Sequence, residues 1–275
     1  VSGYRFLVSA GQEKEQTRKD LLQAAIDYAK KEACSSLHWL FPTHHECELL
    51  QQQGLLIRHD VQFHWKNHGY VNFREFLATM NSRKRKKISR ERRRVCEMEV
   101  EFKIVTGAAL SVGNMEEMYD FYLSTVMLHG SQPYLSKSFF LLLGKRLAES
   151  IVLIEAHYQG EAIAAALNIR HGTVLYGRYW GCKKEFHSLH FETCYYQAID
   201  YCIKNKLSSF EGGAQGEHKL SRGFLPVITC SAHWMANQRL GSAVDDFLIR
   251  EKAHVAHYQQ ILNDHSPFRT SNKND

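Results

Sequence analysis

The sequence predicts an α/β protein built on a mixed sheet, and three observations carry that prediction. Three apolar runs, IVLIEAHY from Ile151, EAIAAALNIR from Glu161 and TVLYGRYWG from Thr173, are separated only by Gln159-Gly160 and His171-Gly172. Such turns join neighbouring strands in an antiparallel meander. Elsewhere, short strand-like runs alternate with stretches of helical periodicity. Finally, LSSF and PVITCSAHW bracket a loop, FEGGAQGEHKLSRGF (210–224), which mixes titratable side chains with four glycines. A polar, glycine-rich loop at a strand end is where α/β folds build sites.

Taken in order, SGYRFLVSA reads as a strand, and a chain that opens inside a strand with Val1 is expected to continue from an upstream portion. A helix follows from Thr17 to Ala33, with Leu21, Leu22, Ala25, Ile26 and Ala29 on one stripe. LHWLF is a short buried strand ended by Pro42, HHECELLQQQ a second helix closed by Gly54, and residues 55–67 a strand or a bent pair. A helix from Phe73 continues into the run SRKRKKISRERRR, residues 82–94, whose nine Lys or Arg and one Glu give a local charge of +8. The whole chain carries only +6, so the remainder is slightly acidic and the basicity belongs to one segment.

A strand over 100–106 precedes a helix from Met115 to Leu128, a turn around Pro133, and an apolar helix from Phe139. After the meander come a helix from His190 to Asn205, the strand LSSF, the glycine-rich loop, a further strand and a closing helix from Leu240 to His257. The polar tail from Ser266 is expected to be disordered. The expected division is a partial first unit over 1–69, a basic connecting helix over 70–100, a complete second unit over 101–265 and a tail over 266–275.

No apolar run approaches the roughly 20 residues that span a bilayer, and no signal peptide opens the chain. Seven cysteines without a CxxC pair read as reduced thiols of a cytoplasmic protein. His44-His45, and His187 with His190, invite a metal reading, but ligand spacing typical of zinc sites is missing and no metal is expected. Positive charges this dense call for a counter-charge. Arg83, Lys84, Arg85, Lys86, Arg90, Arg92, Arg93 and Arg94 are therefore expected to contact a polyanion, unless the face is simply solvated.

The order helix, three-strand meander, helix, strand, glycine-rich loop, strand resembles the GNAT acetyltransferase fold. There the acyl donor sits where two central strands splay, and a loop and helix start after the third meander strand hold its phosphates. Trp180 to Glu192 occupies that place, with Gly181 as its one glycine. The wording of PYL, LYGRYWG, HFETCYYQAI and FEGGAQGEHKLSRGF looks more narrowly like a bacterial family of predicted N-acyltransferases labelled peptidoglycan biosynthesis or recognition proteins. That family is similar to the Fem aminoacyltransferases, which build interpeptide bridges from aminoacyl-tRNA and contain two GNAT-like halves in tandem. The resemblance implies a tandem GNAT-like fold, with the second unit complete and the first truncated at its N-terminus. It also implies transfer of an acyl or aminoacyl group to the amine of a small molecule or a cell-wall precursor. Acyl-coenzyme A or aminoacyl-tRNA would be the donor, with no tightly bound cofactor.

Such a reaction needs a base, an oxyanion donor and groups that hold the substrates. Glu211, at the end of a central strand, is the first candidate base, with Glu217 and His218 beside it. Amides at Gly212 and Gly213, or the phenols of Tyr176 and Tyr179, are candidates for the oxyanion. Arg178, Trp180, His190, Glu192, Gln215, Lys219 and Arg222 are expected to bind substrate in one cleft that Glu211, Glu217 and His218 also line, and Tyr134 is a further expected substrate contact. Cys194, Cys202, Tyr195 and Tyr196 are expected to be packing residues. A non-catalytic peptidoglycan or nucleotide-sugar recognition module, and a nucleic-acid-binding protein led by residues 83–94, are the alternatives.

Overall fold

In the computed structural model, which describes residues 1–10, 13–184 and 186–269, the chain divides into two units. The first joins Val1–Gln62 to Pro226–His265; the second comprises Phe63–Leu225 and the chain from Ser266. The expected boundary at 265 falls at a junction of these units, while those at 69 and 100 lie inside the second unit. The reason is strand pairing. Strand β8 (Leu225–Met235) lies antiparallel to β1 (Ser36–Leu40), with Ser36 opposite Met235 and Leu40 opposite Ser231, which ties the C-terminal elements to the N-terminal ones.

In the first unit, helix α1 (Lys14–Lys31) sends Leu22 and Ile26 into a core with Phe6, Trp39, Leu49, Leu50, Leu55 and Ala232. Helix α2 (His44–Gln52) starts from a capping box between Thr43 and Glu46. The same buried Glu46 carboxylate accepts the amides of Arg5 and Phe6. Residues 1–10 form no strand, contrary to expectation: the Arg5 and Phe6 amides bind a side chain instead of a ladder. Cys47 and Cys230 are joined in a disulfide, so the reduced-thiol expectation fails for this pair. The long helix α9 (Gln238–Asp264) is capped by Asn237 and anchored by Arg58, whose guanidinium binds Glu251 at 2.8 Å.

Strand β2 (Leu56–Lys66) passes from the first unit into the second. In the second unit the strands follow the order β2, β7 (Ser209–Glu211), β6 (Val174–Cys182), β5 (Glu161–His171), β4 (Ile151–Tyr158) and β3 (Glu101–Thr106). All neighbours are antiparallel except β6 and β7, so the sheet is mixed, as expected. Helices α5 (Val112–Leu128) and α6 (Lys137–Leu147) cover β4 and β5 through Met115, Met118, Phe121, Phe140, Ile151, Leu153 and Leu167. Burying each such side chain contributes about 1.5–3 kcal/mol.

Helix α3 (Phe73–Ala78) leads into α4 (Ser82–Glu97), which carries the basic run and begins at the Asn81 cap. Ile88, Glu91 and Val95 face inward on α4, the spacing of one helical stripe. The described start of the tail is held in place, with Phe268 bridging Met80 and Pro267 accepting the Asn81 amide; the rest of the expected disordered tail lies outside the described residues. Among the described residues no helix is long and apolar enough to cross a membrane.

Candidate active site

The site grows out of one irregularity in the sheet of the second unit. Parallel strands β6 and β7 pair only from Val174 and Ser209 to Tyr176 and Glu211, after which β7 ends while β6 runs on to Cys182. The sheet opens there. A 150 Å³ cavity lies at the opening, lined by Asn168, Arg178, Tyr179, Trp180, His190, Cys194, Tyr195, Phe210 and Lys219 among others.

A β-bulge aims one of these side chains. Leu167 pairs with Tyr179 and Asn168 with Gly177, so Arg178 is an extra residue without a partner on β5. Bulges re-aim side chains beside active sites. The Arg178 guanidinium leans on the Tyr179 ring, and among the described residues it has no hydrogen bond or ion pair.

After β6 the chain turns through Ser188, at φ 73°, into α7 (Leu189–Phe191), a π-helical turn over Glu192–Tyr196, and α8 (Gln197–Lys204). The expected single helix from His190 is thus broken by a wide turn, a feature frequent at functional sites. It brings His190 and Tyr195 to the cavity and turns Glu192 away. Glu192 binds Arg92 at 3.1 Å and Gln197 at 2.8 Å, while its Oε2 has no partner among the described residues. Burial raises its pKa.

The glycine-rich loop supplies the remaining wall. Lys219 is buried, and its ammonium donates to the carbonyls of Gly212 and Gln215. Burial lowers its pKa to about 8. Burial also lowers His190 to about 4, helped by repulsion from His218 when that ring is protonated and from Arg222 and Lys219. His218 is lowered by burial and then by Arg222, Lys219 and Lys87. Both imidazoles are therefore neutral near pH 7, each with one nitrogen able to accept a proton. The Tyr195 hydroxyl lies 3.1 Å from His218 Nε2, and burial keeps that phenol protonated.

The expected cleft forms in part. Arg178, Trp180, His190 and Lys219 line one cavity, and the His218 ring stands 6.1 Å from that of His190. Glu211 does not line it; its carboxylate lies 4.0 Å from His64 Nε2 on β2. The strand explains this, because consecutive residues point to opposite faces and Phe210 faces the cavity. Arg222 is also committed elsewhere. It is fully buried, binds Glu91 and the His218 carbonyl, and its guanidinium lies 3.4 Å from the Phe191 ring centroid.

Gln215 and Glu217 are exposed at the surface of the loop, and Gln215 contributes its carbonyl to Lys219. The Tyr134 phenol lies 3.1 Å from that of Tyr179, a hydrogen bond that, with burial, raises Tyr134 to about 12. The Gly212 amide donates to Phe63 at 2.9 Å and is no longer free for an oxyanion. Tyr195 and Cys194, read from sequence as packing residues, line the cavity. Their position in HFETCYY was visible, but the π-turn that orients them was not.

The phosphate-loop expectation for Trp180–Glu192 has a different basis in the structure, where Glu185 lies outside the described residues. A side chain at Gly181 would meet the Phe121 carbonyl at 1.7 Å, so this glycine answers to the close approach of α5. A larger cavity of 780 Å³ nevertheless adjoins here, lined by Ser124, Thr125, Leu128, Lys183, Phe186 and His187, and shares Trp180 and His190 with the smaller one.

Helix α4 separates its cations. Arg92 turns in to Glu192, Lys84 donates to Ser221 and Arg85 to the Met80 carbonyl. Arg83, Lys86, Lys87 and Arg90 are exposed and, with Lys84, line a 490 Å³ hollow. Arg93 and Arg94 are exposed farther along, Arg93 near Glu97 and Arg94 near His187.

A family model described as peptidoglycan biosynthesis/recognition, FemAB-like, matches residues 1–270. The chain belongs to the FemAB-like family. Among curated proteins, none matches its sequence significantly. Solved structures share its fold. The C-terminal domain of a putative lysylphosphatidylglycerol synthetase from Agrobacterium fabrum superposes with a TM-score of 0.58 at 10% identity, covering 84% of this chain and 77% of that one. FemX gives 0.57 at 12% identity over 88% and 82%. The lysylphosphatidylglycerol synthase of Bacillus licheniformis gives 0.57 at 9% over 83% and 77%. The mixed α/β architecture of this FemAB-like chain is thus that of FemX and of these synthetases.

Proposed function

We propose that this FemAB-like chain transfers an acyl or aminoacyl group to an amine, with a cell-wall precursor as acceptor. One observation carries the reading. Where β6 and β7 separate, the neutral His190 imidazole and the phenols of Tyr179 and Tyr195 meet two cations at a single cavity, and Tyr195 links that cavity to His218 at 3.1 Å. A recognition module has no need of a proton acceptor; aminolysis of an ester or thioester does.

In the proposed reaction the neutral amine attacks the donor carbonyl, forming the carbon–nitrogen bond while the carbonyl electrons move to oxygen. The Tyr179 phenol, tied to Tyr134, donates to that oxyanion. The proton from nitrogen passes to His218 Nε2, with Tyr195 as the relay that touches it. Collapse expels the donor oxygen or sulfur, which takes the proton back from His218. Trp180 and His190 form the wall shared with the larger cavity, to which the proposal assigns the acyl-bearing end of the donor.

Both expected donors remain part of the proposal. Support for an RNA ester comes from the outward cations of α4, which suit a phosphate backbone; support for acyl-coenzyme A comes from the partly apolar cavity flanked by Lys183 and His187. The test is incubation with charged tRNA or with acetyl-coenzyme A, plus a cell-wall precursor bearing a free amine. Mass spectrometry should detect a new amide with one of them, and absence of product with both would overturn the proposal.

A further inference from the structure

Two cations meet at the 150 Å³ cavity without an acid to answer them. Lys219 is 7% exposed, and its ammonium has three donors, two of which go to the Gly212 and Gln215 carbonyls. Arg178 stands on the bulge with its planar fork unengaged. Among the described residues no carboxylate lies within ion-pair distance of either, and none lines the cavity. Compare the neighbouring cations: Arg222 is answered by Glu91 and Arg92 by Glu192. A buried charge normally has its partner supplied, because leaving it unpaired is costly. Lys219 is such a buried charge and Arg178 an exposed one beside it, and the fold supplies neither with a carboxylate at the cavity.

We infer that this cavity is a carboxylate subsite, in which Arg178 and Lys219 hold the carboxylate of a small acid that is part of the donor's acyl group or of the acceptor. Geometry selects the chemistry. A guanidinium fork matches the two oxygens of a carboxylate, and a second cation completes the charge. A volume of 150 Å³ corresponds to about five waters at a water's share of ~30 Å³. That admits a carboxylate with a short stem, and any larger group would have to extend beyond it. Substrate selection then follows: a group carrying a side-chain cation is repelled from the cavity, and an acid is drawn in.

The inference rests on the transferase reading only for whose carboxylate is held; binding itself is measurable without turnover. The full chain is titrated with succinate, succinamide and inorganic phosphate by calorimetry, alongside Arg178→Gln and Lys219→Met. Succinate should bind saturably, succinamide and phosphate at least tenfold more weakly, and Arg178→Gln should weaken succinate by about tenfold or more. Arg178 is exposed, so its variant reports even where Lys219→Met fails to fold. Equal binding of succinate and phosphate, an unchanged affinity in Arg178→Gln, or no saturable binding of succinate would each overturn the subsite.

The source is then read from turnover with matched pairs. Preference for aspartyl- over asparaginyl-tRNA places the carboxylate on the donor. Preference for an amine acceptor with a free carboxylate over its amide places it on the acceptor. If turnover occurs without either preference, the subsite is overturned for catalysis; if no turnover occurs while succinate still binds, the transferase reading fails and the subsite stands.

Discussion

The Nη2 of Arg222 donates to both carboxylate oxygens of Glu91, each at 2.9 Å, and Tyr196 donates to the same carboxylate. This buried pair joins the inward face of the basic helix to the loop that carries Lys219 and His218. Beside it, Arg92 joins the same helix to the π-turn through Glu192. The helix that bears the charge run is thus a structural support for the site as well as a cationic surface.

Removing one half of such a pair strands the other. Glu91→Gln is expected to cost about 3–5 kcal/mol, read as a lowered urea midpoint. Replacing both partners, as Glu91→Leu with Arg222→Met, should cost less than Glu91→Gln alone. A single variant as stable as the parent would show that the pair contributes nothing.

Histidine burial sets the acid limit. His64 and His190 are both pushed by burial from 6.5 down to about 4. Between those values the unfolded chain binds protons that the folded chain refuses, so stability is full above pH 6.5 and falls as pH drops toward 4. Lys219, lowered from 10.5 to about 8, acts at the other end: its contribution improves as pH rises from about 8 to 10.5. Melting temperatures across the acid range should fall less steeply in the double variant His64→Gln, His190→Gln. Superimposable acid limbs would refute this assignment.

The outward cations of α4 should act on partners and leave the fold alone. Replacing Arg83, Lys86, Lys87 and Arg90 by Gln is expected to weaken RNA binding and to flatten its salt dependence, by about 0.7 per lost single-strand phosphate contact. Stability should change by no more than about 0.5 kcal/mol per residue. A parent protein that binds no RNA at low salt would mark this face as merely solvated.

Much of this was legible in the chain. The meander showed in the apolar runs and glycine turns, and three of the four stretches named from their wording supply cavity walls, PYL being the exception. What the sequence hid is mostly geometric. Glu211 had the right residue type at a strand end, but alternation along the strand turns it to His64. Arg222 reads as a free anion binder because its partner, Glu91, lies 131 residues away inside a run dominated by positive charge. The bulge at Arg178 and the π-turn at Glu192–Tyr196 leave no mark on periodicity over such short lengths. The pairing of β8 with β1 also could not be seen, since nothing local in PVITCSAHWMA names its neighbour.

Gly181 offers a sharp steric check. A methyl group there would overlap the Phe121 carbonyl, a backbone atom that moves only with α5. Gly181→Ala is expected to destabilise the protein by about 1–3 kcal/mol or more, whereas Gly172→Ala, with open space at its Cβ but φ of 54°, should cost only the backbone strain of about 1 kcal/mol. Equal costs would mean that α5 does not pack against β6 as described.

The proton acceptor is the most direct test of the transferase account. Single-turnover rates of amide formation should be measured for the parent, His218→Gln and Glu211→Gln with whichever donor proves active. The account expects His218→Gln to be slower by about 10²–10⁴, with substrate affinity largely kept, and Glu211→Gln to remain within a few-fold of the parent. A full rate in His218→Gln together with a collapse in Glu211→Gln would contradict it.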